Sequence, residues 1–364
     1  MPRVHMLSAQ DVDEILCQLP AQTICDTVAH ALQTVSTARA AQSAQAPSHS
    51  VDVQSPLRIA TESSNHKTLY MPSRIADGHN PAVTAIKIVS VPKTNCQIPG
   101  LPGTNLVLDE ETGAVKAIVN SKDLTGLRTA AASAAATQML ADSNSSSLVI
   151  FGTGVQAEYH ARLIVETMPS IRSVILIARQ INDRAKTTLA RLANLPAFKG
   201  LSLRLEEHSH RTQYIRQADI ICTCVPSSIP LFDRHELKSN VHINAIGSYT
   251  PQMQEFEPSL IGPVPDDETD ATGPRIPTVL VDVRDACMAE AGELIAAKIP
   301  ASSLIELGEV WRSRSDGDTT AITKLRSSGM SLFKCVGVGA MDALITDLVV
   351  KTAKRNSLGV IVEM

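Results

Sequence analysis

Leu148-Val-Ile-Phe-Gly152-Thr-Gly154-Val-Gln-Ala157 decides how the rest of the chain is read. Four apolar residues run into a Gly-x-Gly-x-x-Ala turn, and Glu158, Tyr159, His160, Ala161 and Leu163 continue it as a helix. In such a unit the first glycine makes the tight turn and the second lets the backbone approach a pyrophosphate. The small third residue lets helix and strand pack closely. The helix N-terminus then faces the phosphates with unpaired amides. A glycine triplet alone is a weak signal, and an ordinary glycine turn is the competing reading. Here the strand before, the helix after and a second strand at 173–178 stand at the spacing of a dinucleotide-binding unit. Gly152, Thr153, Gly154, Val155, Gln156 and Ala157 are therefore candidate cofactor-binding residues.

The second strand ends Ile177-Ala178-Arg179, with no acidic residue at its tip. An acid there would hold a ribose 2′-hydroxyl and favour NAD, whereas an arginine can stack on adenine and pair with a 2′-phosphate. NADP(H) is thus the preferred cofactor and NAD(H) the second option. A solvated loop arginine is the bland alternative for Arg179, and Asp183 and Arg184 nearby keep both options open.

Outward from the motif, strands at 148–151, 173–178, 201–205, 220–224, 242–245 and 279–281 alternate with helices such as 156–168 and 185–192. That alternation predicts a parallel sheet wound with helices. Residues 124–141 form a long Ala-rich helix before it. The earlier region is mixed α+β. Ser8 caps a helix through Val12, Ile15, Leu16 and Leu19 that Pro20 ends, and a second helix is expected over 23–37. Residues 38–56 read as a loose connection. Strands are expected at 57–61, 68–71, 82–91, 104–108 and 114–119, the last two joined by a Glu-Thr-Gly hairpin. Residues 262–277, rich in Pro, Asp and Gly, read as a surface loop. A last helix over 337–350 is expected to return to the first domain. The fold class is then α/β, with a Rossmann-type doubly wound dinucleotide domain (123–324) inserted in an α+β substrate and dimerisation domain (1–122 and 325–364).

Length and composition agree. The 364 residues suffice for two domains. Aromatics are only 3%, so the cores must be built from aliphatics and alanine, as in proteins with covered parallel strands. A well-mixed net charge of −4 argues against a nucleic-acid groove or a polybasic membrane patch. No apolar run approaches the roughly 20 residues that span a bilayer. Residues 1–10 lack a signal peptide's apolar core, and 361–364 carry no lipidation or retention address. Cysteines at 17, 25, 96, 222, 224, 287 and 335 are odd in number and lack C-x-x-C spacing, so neither a disulfide framework nor a zinc site is expected. A cytoplasmic protein with reduced thiols and no metal is the expectation.

The motifs taken together resemble the ornithine cyclodeaminase/mu-crystallin family. The similar stretches are Pro56-Leu-Arg58, Tyr70-Met-Pro72, Ile86-Lys87-Ile-Val-Ser90, Gly100-Leu-Pro-Gly103 and Asp123-Leu-Thr-Gly-Leu-Arg128-Thr-Ala-Ala131. They continue through the glycine motif, Ala218-Asp219 to Pro226, Ile246-Gly247-Ser248, Gly292-Glu293-Leu294 and Leu332-Phe-Lys-Cys335-Val-Gly337. They cover almost the whole chain in order. The resemblance implies a two-domain, usually dimeric enzyme that holds an amino or imino acid by its carboxylate near a nicotinamide. It also places Thr129, Cys224, Val225, Gly247 and Gly337 at the cofactor. Known activities of the family include cyclodeaminases of ornithine or lysine, alanine dehydrogenases, ketimine reductases and opine-type enzymes, so membership gives reaction type better than substrate.

Three cations match the family's substrate positions: Arg58, Lys87 and Arg128. Guanidinium groups can bind a carboxylate through paired hydrogen bonds, and lysine can also move a proton. Lys87 lies inside Ile86-Lys-Ile-Val, where an unpaired charge is expensive. Arg128, near the start of an Ala-rich helix, opposes the local dipole and needs an anion, expected to be a substrate carboxylate or cofactor phosphate. Met71 resembles the family's pocket methionine, although a strand methionine is usually core. Thr104 lines the same pocket or is a turn hydroxyl. One departure matters: where cyclodeaminases carry an aspartate after the Ile-Gly-x segment, this chain has Tyr249. A phenol with a pKa near 10 cannot replace a carboxylate base. The departure favours reduction of a preformed imine, such as a pyrroline- or piperideine-2-carboxylate, with Lys87 or Tyr249 as the acid. Tyr249 packing against the cofactor is an equally good reading. The alternatives are an NAD-recycling, ammonia-releasing cyclodeaminase, an alanine dehydrogenase or opine-type reductive amination, and a non-catalytic NADPH-binding protein. Cys335 reads as a small buried side chain, Cys222 and Cys224 as two thiols on one side of a strand, and His242 as a satisfied core histidine. His66, near Met71 in sequence, merits a substitution test. The expected partners are a small imino or amino acid and a second copy of the chain, with no nucleic acid and no membrane.

Overall fold

The structure, a computed structural model, describes residues 3–43, 51–93, 100–262 and 273–363. Cys96 and most of the 262–277 stretch fall outside them. Two compact units result, residues 1–128 with 338–364, and residues 129–337.

In the first unit a mixed sheet runs in the order Val360–Glu363, Arg3–Leu7, Val115–Asn120, Gly103–Leu108, Val83–Pro92, His66–Ala76 and Asp52–Gln54, with Ile59–Glu62 also on His66–Ala76. The middle strands alternate buried and half-buried residues, as a sheet covered on one face must. The Gly339–Asn356 helix packs on the covered face and against the Ala21–Ser43 helix. Gly339 allows this close approach, since an added Cβ would stand 3.1 Å from the Pro72 carbonyl oxygen. The Ala9–Gln18 helix starts on a reciprocal Ser8–Asp11 capping box and stops at Leu19, before Pro20. Two expectations need correction here. Residues 38–43 continue the second helix, because Ala38, Arg39, Ala40, Ala41 and Gln42 are all good helix formers. The strands Arg3–Leu7 and Val360–Glu363, unforeseen, pair with each other at the sheet edge.

The second unit holds an all-parallel sheet in the order Ser202–Glu207, Ser173–Ala178, Ser147–Phe151, Ile220–Thr223, His242–Ala245, Ser331–Lys334, Val279–Val281 and Leu304–Glu306. The first three strands in sequence build outward one way and the next two the other way, so a topological switch point lies between Ser147–Phe151 and Ile220–Thr223. Ser331–Lys334 pairs with His242–Ala245, which puts 325–337 in this unit and corrects the expected boundary at 325. Its four residues are buried between two strands, and that environment is what its apolar neighbours require. Ile276, expected in a surface loop, is buried and bridges to Ile261.

Candidate functional site

In the first unit, strand register sets Met71, Lys87 and Asn105 side by side on the covered face of the sheet. Lys87 is 2% exposed, and Asn105 Nδ2 donates to Thr346 Oγ1 at 2.6 Å on the covering helix. One turn earlier on that helix stands Asp342, also 2% exposed. Its Oδ1 is 3.1 Å from Lys87 Nζ and 3.4 Å from Arg128 Nε, while Oδ2 is buried without a hydrogen-bond partner. Arg128 lies in the second turn of the Leu124–Leu140 helix, with Nη1 3.9 Å from the sulfur of Met341. The anion that Arg128 requires is in the first instance Asp342, 214 residues away, a partner other than the substrate carboxylate or cofactor phosphate offered as examples. Burial pushes the Lys87 ammonium down to about 8, against the pull of Asp342, and the charges of Arg128 and Arg58 push the same way. The three expected cations thus act on one another, and Met71 stands beside Lys87. Thr104 and His66 do not join them. Thr104 precedes Asn105 and faces the opposite side of the sheet, and His66, an odd number of residues from Met71, does likewise.

In the second unit the glycine turn sits at the switch point. Gly152 has φ +119°, and a Cβ there would lie 3.1 Å from the Cys224 carbonyl oxygen and 3.0 Å from Val225. Gly154, at the N-cap of the Val155–Thr167 helix, makes no side-chain capping hydrogen bond, and Val155, Gln156 and Ala157 form the first turn. Arg184 Nη2 stands 2.8 Å from where a Gly154 Cβ would be, and Thr188 Oγ1 donates to the Thr153 carbonyl at 3.0 Å. Arg179 is exposed at the tip of the second strand, and Thr129 is buried in the Leu124–Leu140 helix. A loop too tight for side chains, a helix N-terminus opening on glycine and an arginine over the second glycine together fit a dinucleotide phosphate.

Behind this edge lies a buried ionic cluster. Glu255 Oε2 accepts the amides of Gly247 and Ser248 at 2.8 and 2.9 Å and stands 3.4 Å from Lys334 Nζ. Glu293 is 3.5 Å from the same ammonium and accepts the Glu255 amide at 2.6 Å. Burial pushes the Glu255 carboxyl up to about 7 against the pull of Lys334, and the neighbouring Glu293 adds to the rise. A Cβ on Gly247 would overlap the Val225 carbonyl oxygen. Asp282 forms a second node. Its carboxylate accepts the Gly337 and Val336 amides at 2.6 and 3.1 Å and the thiols of Cys335 and Cys287. Gly337, expected at the cofactor, therefore has its amide committed within the chain. Cys335 is buried as expected. His242, bonded to Ser331 and Asn244, and His160, bonded to Ser133 and Gln156, are both pushed down to about 4 by burial, so neither is an acid or base near neutrality. Among the described residues no group of His, Cys, Asp and Glu is placed to hold a metal ion, and no helix is long and apolar enough to cross a membrane.

The sequence profile of the ornithine cyclodeaminase/mu-crystallin family matches residues 20–354. The chain belongs to this family. It is similar to Protein SAR DEFICIENT 4 of Arabidopsis thaliana, 29% identical over 84% of this chain and 89% of that one. It is also similar to a Δ1-pyrroline-2-carboxylate reductase of Bacillus cereus, 28% identical over 84% and 87%. Among solved structures, the Δ1-pyrroline-2-carboxylate reductase of Thermococcus litoralis, in complex with NADH and L-proline, superposes with a TM-score of 0.77 at 22% identity, covering 98% of this chain and 99% of that one. This last likeness carries the fold.

Within this family member, Asp342, Glu255 and Asp282 went unnamed in the sequence, and Glu293 and Lys334 stood in family-like stretches without a role. The signal that singled out Lys87, a charge inside an apolar run, was present at Val-Leu-Val-Asp282-Val, at Leu332-Phe-Lys334-Cys and at Gly339-Ala-Met-Asp342-Ala-Leu-Ile.

Proposed function

We propose that the protein is an NAD(P)H-dependent reductase of a small or cyclic α-imino acid. The observation that carries this reading is the charge balance in the first unit. Two buried cations, Lys87 and Arg128, share one carboxylate, Asp342, which leaves an excess of one positive charge for one carboxylate of a substrate. Arg58, close enough to act on Lys87, adds to the attraction.

Residues 152–157, with Gly247, Cys224 and Val225 at the same sheet edge, would hold a reduced nicotinamide dinucleotide, which would supply the hydride for the α-carbon. The imine nitrogen must gain one proton. Lys87, its ammonium pushed down only to about 8, stays mostly protonated at neutral pH and suits the donor's role. Arg58 and Arg128 orient the carboxylate. Tyr249, following Gly247-Ser248 where a carboxylate base would serve a cyclodeaminase, packs at the cofactor or serves in place of Lys87 as the acid. Arg179, exposed at the tip of the second strand, favours NADP(H), whereas Arg184, beside Gly154, would serve the pyrophosphate of either cofactor. A homodimer would cover the open face of the first sheet, where Pro72, Ile86, Leu106, Ile118, Met6 and Val360 form one row in register. A reducing, cytosolic setting suits the free thiols of Cys17, Cys25, Cys222, Cys224, Cys287 and Cys335.

The test is a panel of cyclic imines, and of 2-oxo acids with amines, each followed by oxidation of NADPH and NADH. Stoichiometric oxidation with a five- or six-membered cyclic imino acid is expected. Redox-neutral release of ammonia from ornithine or lysine with catalytic NAD would replace this reading with the cyclodeaminase.

A further inference from the structure

Asp342 is the residue on which the substrate cations converge. It sits in the first turn of the Gly339–Asn356 helix, where a negative charge is favoured by the helix dipole. One of its oxygens serves both Lys87 and Arg128, and the other is buried and unpartnered. The helix is held on the sheet at Gly339 and again where Thr346 Oγ1 meets Asn105 Nδ2 and donates to the Asp342 carbonyl at 2.6 Å. The carboxylate therefore has little freedom to leave its two cations.

We propose that Asp342 is a positioning residue for the reduction, acting through Lys87 and Arg128: it fixes the two cations beside Met71 and Asn105 and keeps the Lys87 amine loaded with its proton. The inference rests on the reductase reading in assigning that proton to the imine nitrogen. The groups that act on Lys87 are Asp342 on the covering helix, Arg128 on the Leu124–Leu140 helix and Arg58 ahead of the Ile59–Glu62 strand. Of these only Asp342 favours the ammonium. Burial and both arginines disfavour it, so removal of the carboxylate charge leaves nothing in that set to hold the proton.

Asp342→Asn keeps the shape and removes the charge. The alkaline limb of the kcat/KM profile for imine reduction should move to lower pH by about 1–3 units, the size of an opposite-charge effect at this distance. Asp342→Glu should restore it in part, which a purely structural role would not require. Two further arms need neither turnover nor the variant. In wild type labelled with 13C and 15N, the Lys87 side chain, assigned by its loss in Lys87→Met, should titrate well below an ordinary lysine. The Asp342 carboxyl carbon should shift with the same midpoint. Identical limbs in wild type and Asp342→Asn, or an Asp342 carbon that stays flat while Lys87 titrates, would overturn the proposal. A chain that reduces no imine yet shows the coupled titration would instead sink the reductase reading alone.

Discussion

At the scale of single residues, Lys87 and Arg128 illustrate how a buried charge reads in two steps. Its cost is visible from apolar neighbours, but its partner is not. Lys87→Met should lower kcat/KM for imine reduction at least a hundredfold, in line with losing a positioned acid. Arg128→Ala should cost several kcal/mol of transition-state binding, because it also strips Asp342 of a partner. Unchanged kcat/KM in Arg128→Ala would remove the carboxylate clamp. Arg179 stands at the other unit's edge, exposed and thus replaceable without harm to the core. Arg179→Ala should raise KM for NADPH about tenfold while leaving KM for NADH nearly unchanged, as expected for one lost phosphate contact. Equal changes for both cofactors would count Arg179 as a solvated loop residue.

Single elements carry the next set of constraints, and the loop after His242–Ala245 is the clearest. Gly247 has no room for a side chain, and Glu255 folds back to take the amides of Gly247 and Ser248. Gly247→Ala should push that loop off Val225 and weaken dinucleotide binding tenfold or more, measured by quenching of protein or cofactor fluorescence. Glu255 adds a pH dependence. Its folded value of about 7 lies above the unfolded 4.5, so the neutral form is favoured on folding. The associated stability is complete below 4.5 and is lost as pH rises through 7. Glu255→Gln cannot ionise and keeps an oxygen for the two amides. Its melting temperature should therefore fall less than that of wild type between about pH 5 and pH 8. Parallel melting profiles would place the titration elsewhere. The buried histidines act in the opposite sense, their stability being lost as pH falls from 6.5 through about 4, by at most about 1.4 kcal/mol per unit for each.

For the whole molecule, the open face of the first sheet is the feature with the largest consequence. Met6 is 42% exposed and Val360 63%, and the row they begin continues through half-buried Ile118, Leu106, Ile86 and Pro72. Such a contiguous apolar row marks a surface that associates. In the homodimer proposed above, Ile86→Asp combined with Leu106→Asp should leave monomers in light scattering while keeping the circular dichroism spectrum intact. A wild type that is monomeric at micromolar concentration would sever the row from any dimer.

Periodicity and turn chemistry are local properties, and so the sequence by itself determined most of the strands and helices, the glycine turn and its helix, and the apolar faces, but not the strands Asp52–Gln54, Leu304–Glu306 and Ser331–Lys334. Ser173–Ala178, His242–Ala245 and Val279–Val281 match their expected bounds for that reason. Arg3–Leu7 and Val360–Glu363 were invisible because each is short and is a strand only through its pairing with the other end of the chain. The candidate site divides along the same line. Lys87, Arg128 and the glycine loop were legible from residue type and spacing and Met71 only from the family resemblance, whereas Asp342 as the counter-charge, Glu255 as the brace of Gly247 and the exclusion of Thr104 and His66 were decided by tertiary structure. A buried charge announces its cost through its immediate neighbours, but which anion offsets it depends on the segment that packing delivers from elsewhere in the chain.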